Sequence, residues 1–188
     1  QTFILNGADD KTALDPLLLE ERDKPFIGLC WQGNPSNRAD VHRSLGLEDL
    51  LSYLPSGATF FNLQISLTEQ QEKRLAAHQI VNFSEGLSTL TGTAAICARL
   101  DGVIAVDTSL CHLAGSLGIP TFLLLSLASD WRWGKSTDRT VWYNNTKLFK
   151  QTSRGEWNAP LNSLKETLER DIISPFYAGA DAGRFLGK

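Results

Sequence analysis

The stretch VDTSLCHLAGSLGIPTFLLL, residues 106–125, decides the fold. It closes one apolar run, passes through Asp107, Thr108 and Ser109, and continues as a short helical pattern. Gly118 and Pro120 end that pattern, and TFLLL (121–125) is a second apolar run. Two short runs, apolar on both faces and separated by one helix, are the signature of buried parallel strands joined by a crossover. The polar residues at the first join do not serve a core, so they need another explanation.

Working outward, the same unit repeats along the chain. FIGLCW (26–31), ATFFNLQ (58–64), QIVNF (79–83), GVIAVD (102–107) and KLFKQ (147–151) read as strands. Helices are expected at 47–54, 68–78, 88–100, 108–118 and 160–173. In the second of these, Thr68 and Gln71 have capping-box spacing. Alternation of this kind predicts an α/β fold, an open doubly wound parallel sheet. Residues 1–24 read as a lead-in or interdomain linker, 25–173 as the α/β domain, and 174–188 as a loosely held Gly- and Ala-rich tail.

Composition narrows the function. The 188 residues carry a net charge of −3, so there is no basic excess for general nucleic-acid binding. No apolar run approaches the ~20 residues of a membrane span. Three cysteines without CxxC spacing point to a reducing, cytoplasmic setting. The chain has no methionine, even at position 1, so a piece of a longer chain or a processed product is expected.

Ligands of open parallel sheets bind beyond the carboxyl ends of the strands. Three polar loops are expected at that rim: GNPSNRADVHRS (33–44), DTS (107–109) and SLASDWRWGKS (126–136). In the second, a helix starts within two residues of a strand. Its free N–H groups and the hydroxyls of Thr108 and Ser109 would seat a phosphate, or one hydroxyl simply caps the helix. Asp107 reads as an acceptor for backbone or ribose donors. His112 lies one turn on, either as a site residue or as a packed core histidine. In the first loop Arg43 is the best-placed partner for a diphosphate, with Arg38 and His42 nearby. In the third, Asp130 and Trp131 sit where an aromatic ring could stack on a base or line a sugar pocket, or where the loop packs on its own domain. The sequence has no GxSxG elbow, GxGxxG, P-loop or DxD, and its Cys and His residues lack zinc-finger spacing.

The blocks IGLCWQGNPSNRADVHRSLGLEDL (27–50), VIAVDTSLCHLAGSLGIPTFLLL (103–125) and DWRW (130–133) with WYNNTKLFKQ (142–151) resemble the C-terminal half of GT-B glycosyltransferases. The likeness is to domains that follow tetratricopeptide repeats, to ADP-heptose heptosyltransferases and, more distantly, to O-GlcNAc transferases. The resemblance implies a Rossmann-like donor domain that binds a nucleoside-diphosphate sugar for inverting, metal-independent transfer, with no cofactor. It implies a substrate site of Gly33, Asn34, Arg43, Asp107, Thr108, Ser109, His112, Asp130 and Trp131, with Arg43 and His112 taking part in catalysis. The acceptor site and base would lie in an N-terminal domain or a repeat region of a longer chain. The alternative expectation is a non-catalytic module whose tryptophan loop docks a protein partner.

Overall fold

The computed structural model describes residues 22–34, 43–82, 87–134 and 138–185, with side chains through residue 179. Arg38 and His42 lie outside the described residues, as does most of the expected lead-in. Strand β1 (Phe26–Cys30) leads to helix α1 (Leu47–Tyr53), β2 (Thr59–Asn62), α2 (Glu69–Ala77) and the short β3 (Val81–Asn82). Next come α3 (Leu90–Cys97), β4 (Gly102–Val106), α4 (Ser109–Ser116) and β5 (Thr121–Leu125). A 3-10 turn (Trp131–Trp133), β6 (Thr146–Lys150) and α5 (Asn158–Leu168) complete the sheet unit. The strands form one open, all-parallel sheet in the order β3-β2-β1-β4-β5-β6. This is the α/β doubly wound arrangement expected from the alternation.

Period-two alternation splits the core between the two faces. Ile27, Leu29, Ile104, Val106, Phe122 and Leu124 pack with α1, α2 and α5. Cys30, Val103, Ala105, Leu123 and Leu125 pack with α3 and α4. Every residue of β4 and β5 is buried. That is why these strands read as continuous apolar runs. Truncating a residue such as Leu123 would cost about 2–5 kcal/mol.

Local chemistry sets the element ends. Thr68 and Gln71 form the reciprocal capping box. Helix α4 closes with the bonds Gly118 N to Gly115 O and Ile119 N to Ala114 O. Gly118 takes φ +79, which that closure requires and other residues resist. Of the expected strand 79–83, Val81 and Asn82 are strand and Phe83 lies outside the described residues. Gln79 adopts φ 56 and Ile80 N bonds back to Leu75 O, so both belong to the end of α2. Strand 58–64 ends at Asn62, whose side-chain amide donates to Gln64 O and accepts from Gln64 N and so bends the chain.

The helical run extends into the segment read as a tail. After α5 the chain makes a π turn (Glu169–Ile173) and continues as helix α6 (Ser174–Phe185). Pro175 has no N–H to give the carbonyl four residues back, and the ladder widens just before it. The alanines between Tyr177 and Arg184 have the highest helix propensity and favour this helix against the two glycines among them. Tyr177 anchors α6 through its hydroxyl, which donates to Gly57 O at 3.1 Å. No described helix is long and apolar enough to cross a membrane.

Asp171 in the π turn ties this helical run to β6. It accepts from Arg170 Nε at 2.7 Å and from Lys147. The Arg170 bonds first, and Lys147 with them, outweigh burial and hold the carboxyl down at about 2 instead of 3.8. Such a group stabilises the fold above its unfolded pKa and loses that contribution as pH falls through the folded value. Asp171→Asn should therefore lower the calorimetric midpoint at pH 6 by about 1–3 °C. The gap to the unaltered chain should close between pH 4 and pH 2. A gap that does not change with pH would contradict this.

Candidate functional site

Strand β1 lies between β2 and β4. The chain therefore builds outward on one side, returns, and builds outward on the other. The loops leaving β1 and β4 diverge, which opens a crevice at the carboxyl edge. Two cavities occupy this rim. The larger, about 450 Å³, has Cys30, Leu63 and Gln64 at the strand ends. Gly33 and Asn34 line it after β1, as do Leu87 to Leu90 at the start of α3, and Thr108, Ser109, Leu110 and Leu113 at and after the N-cap of α4. The smaller, about 220 Å³, is lined by Arg43, Asp107, the loop 125–130, Gln151 and Arg154. Asp107 and Thr108 are consecutive but face different cavities. The β4–α4 junction is the wall between them.

Thr108 occupies the N-cap position in extended conformation, yet its side chain makes no cap bond. Thr68 and Thr89, at the N-caps of α2 and α3, do make one. The Thr108 hydroxyl instead lies at the larger cavity, 3.9 Å from Cys30 Sγ. Ser109 is exposed on the same wall. The capping alternative thus does not account for the Thr108 hydroxyl. Ser44, beside Arg43, accepts from Gly33 N at 3.1 Å and ties the two ends of the 33–44 loop together.

The other expected residues divide. Asp130 lines the smaller cavity but is also held by Arg132, whose Nε lies 3.1 Å from Oδ1 and whose Nη2 donates to Oδ2 at 3.1 Å. Trp131 is 78% exposed and lines neither cavity. Its neighbour Trp133 is buried and stacks on His112, with centroids 4.9 Å apart and planes at 18°. His112 Nδ1 also shares a 3.1 Å hydrogen bond with Tyr143 Oη. His112 therefore sits in an aromatic bracket behind the rim and lines neither cavity. Gly115 makes that bracket possible. A Cβ there would come within 2.7 Å of the Tyr143 ring.

Sequence reasoning missed the polar floor of the larger cavity. Gln64 is buried, and its Oε1 accepts from Gln32 N at 3.2 Å and from Cys30 Sγ at 3.4 Å. Asn62, fully buried, donates to Asn82 Oδ1 at 2.8 Å. The available signal was two amides ending an apolar strand, where a buried polar group demands partners. Gln151 and Arg154 were also missed, because each follows a strand without a motif.

Asp107, Cys111 and His112 bring one donor atom each within 4.8 Å of one another. The Cys111 thiol is pushed up to about 12 by burial and donates to Thr108 O at 2.8 Å. A metal would have to strip that proton, so the three are not a ready ligand set. Burial likewise pushes the Cys97 thiol up to about 12, which makes it a packing group and no nucleophile.

Comparison with known proteins places this geometry. No protein-family model matches the chain. The E. coli ADP-heptose lps heptosyltransferase II superposes with a TM-score of 0.55 at 17% identity, over 84% of this chain and 49% of that one. This chain has a heptosyltransferase-like fold. E. coli heptosyltransferase WaaC, solved with ADP-2-deoxy-2-fluoro heptose, matches over 82% of the chain and 45% of its own length, with a TM-score of 0.49. Protein FlbA of Caulobacter vibrioides is 29% identical over 158 residues, which span 80% of this chain and 26% of FlbA. The heptosyltransferase-like chain thus spans about half of the first structure and about a quarter of FlbA.

The bracket around His112 gives a stability prediction for this heptosyltransferase-like domain. Gly115→Ala must push the Tyr143 ring away and should cost about 1–3 kcal/mol in urea unfolding. Tyr143→Phe removes only the hydroxyl and should cost about 1 kcal/mol or less. A Gly115→Ala chain as stable as the unaltered one would refute the close approach.

Proposed function

We propose that this chain is the donor-binding part of a glycosyltransferase and holds a nucleoside-diphosphate sugar across the two cavities. The observation that carries the proposal is the junction itself. A helix N-terminus whose Thr108 hydroxyl makes no cap bond divides an apolar-walled cavity from a charged one, at the switch point of a heptosyltransferase-like sheet. In this reading the base and ribose occupy the larger cavity, between Gly33, Asn34 and the leucines of α3 and α4. The diphosphate lies over the start of α4, where the N–H groups of Ser109 and Leu110, the helix dipole and the Thr108 hydroxyl meet it. Arg43 approaches from the smaller cavity.

Transfer breaks the bond between the sugar's anomeric carbon and the diphosphate, and negative charge grows on the leaving group. Donors fixed in advance lower that barrier because they need no reorganisation. Arg43 and the α4 N-terminus supply the charge that a metal supplies elsewhere, so transfer is metal-independent. Attack from the opposite face inverts the anomeric centre. The acceptor and the base that deprotonates it belong to another domain or to a repeat region of a longer protein, acting in the cytoplasm. His112 acts by bracing α4 between Trp133 and Tyr143. Asp107 accepts from sugar hydroxyls, and Asp130 holds the rim.

A thermal-shift series with ADP, UDP and GDP tests this. At a hundredfold excess over Kd, the matching diphosphate should raise the midpoint by roughly 5–10 °C. EDTA should leave the rise intact. Arg43→Ala should weaken binding by tenfold or more, as loss of a charged hydrogen bond does. No shift with any of the three at millimolar concentration would contradict the proposal.

A second reading has one observation in its favour. Trp131, Val141 and Trp142 are 78%, 91% and 58% exposed on the loop between β5 and β6, more apolar surface than a solvated loop needs. As a non-catalytic module, the chain would dock a protein partner there and show no nucleotide shift. Trp131→Ala with Trp142→Ala probes that surface. Trp133 is core and would be the wrong residue to change.

A further inference from the structure

We infer that Arg154, on the turn between β6 and α5, is a specificity residue for the sugar and does not contact the nucleotide. The inference rests on the donor-binding reading and assigns the smaller cavity within it. The two cavities differ in chemistry. The larger is walled by Leu63, Ile65, Leu87, Leu90, Leu110 and Leu113, surfaces that suit a flat base. The smaller presents Arg43, Asp107, Ser129, Asp130 and Arg154 around a volume the size of one sugar ring. A ring bearing hydroxyls on most carbons needs both donors and acceptors, and guanidinium and carboxylate groups lining one cavity provide them.

One buried residue ties together the two segments that carry Ser129, Asp130 and Arg154. Gln151 is 4% exposed, and its Oε1 accepts from Leu127 N at 3.2 Å and from Gly155 N at 3.4 Å. Its backbone N–H donates to Leu125 O at 2.9 Å. The amide therefore pins the loop after β5 to the turn after β6. Arg154 precedes Gly155, whose φ of +80 completes that turn. The turn is thus held against the cavity.

Two further observations favour a polar occupant. Ser129 Oγ is buried in the cavity wall and has no hydrogen-bond partner among the described residues. Asp130 is engaged by Arg132 through both carboxylate oxygens. Asp107, Ser129 and Arg154 are then the groups that face the sugar from β4, the β5 loop and the β6 turn. Arg154 donates N–H groups to hydroxyl oxygens on the ring, on the side away from the diphosphate.

Calorimetric titration of paired ligands tests this on the whole chain: ADP with ADP-glucose, UDP with UDP-N-acetylglucosamine, and GDP with GDP-mannose. Arg154 is solvent-exposed, so Arg154→Ala should leave the unliganded melting temperature unchanged. For the pair whose diphosphate binds, Arg154→Ala should leave the diphosphate Kd within about twofold and weaken the sugar nucleotide roughly tenfold or more. Equal loss for both ligands, or loss for neither, overturns the assignment while leaving donor binding intact. Failure of the unaltered chain to bind any of the three diphosphates overturns the donor-binding reading, and the assignment with it.

Discussion

The structure depends on the junction where β4, buried along its whole length, ends at Val106 and α4 begins at Ser109. A strand covered on both faces can end only at the sheet edge, and its helix must turn back at once to cover one face. That turn leaves the first N–H groups of α4 directed past the edge without internal partners. Because β1 and β4 are neighbours whose chains leave in opposite directions, nothing in the sheet fills the space in front of them. The crevice is a consequence of topology, and side chains only decide what it holds.

Those side chains divide the crevice by chemistry. Thr108 and Ser109 face a cavity with leucine walls and an amide floor, and Asp107 faces one with arginines and a buried hydroxyl. Residues set further back hold the junction still. His112 is clasped by Trp133 and Tyr143, and Gly115 leaves room for the clasp. The loop after β5 thus splits its labour. Trp133 stabilises the helix, Asp130 shapes the rim, and Trp131 remains open to solvent.

Much of the fold was legible because buried parallel strands are short and apolar throughout. Strands β1, β4 and β5 stand out in the sequence for that reason, and Gly118 with Pro120 marks the end of α4. The weaker elements were obscured by competing local effects. The apolar run at 79–83 looked like a strand, but a left-handed Gln79 gives its start to the preceding helix. In the Gly- and Ala-rich end, glycines mask a helical segment that the alanines favour. In the site, sequence placed Arg43, Asp107 and Thr108 on one rim. It could not tell which tryptophan of DWRW would be core, because loop side chains follow no period. Nor could it find Gln151, whose importance lies in joining two loops that are distant in sequence.

The most direct test of the account is to map, by backbone amide chemical shifts, where a nucleoside diphosphate sits on the chain. Titration with ADP, UDP or GDP should move the resonances of Gly33, Asn34, Thr89 and Ser109 to Leu110 most, with smaller changes at Arg43. Perturbations centred on Trp131 and Trp142, or the absence of any at the start of α4, would contradict it.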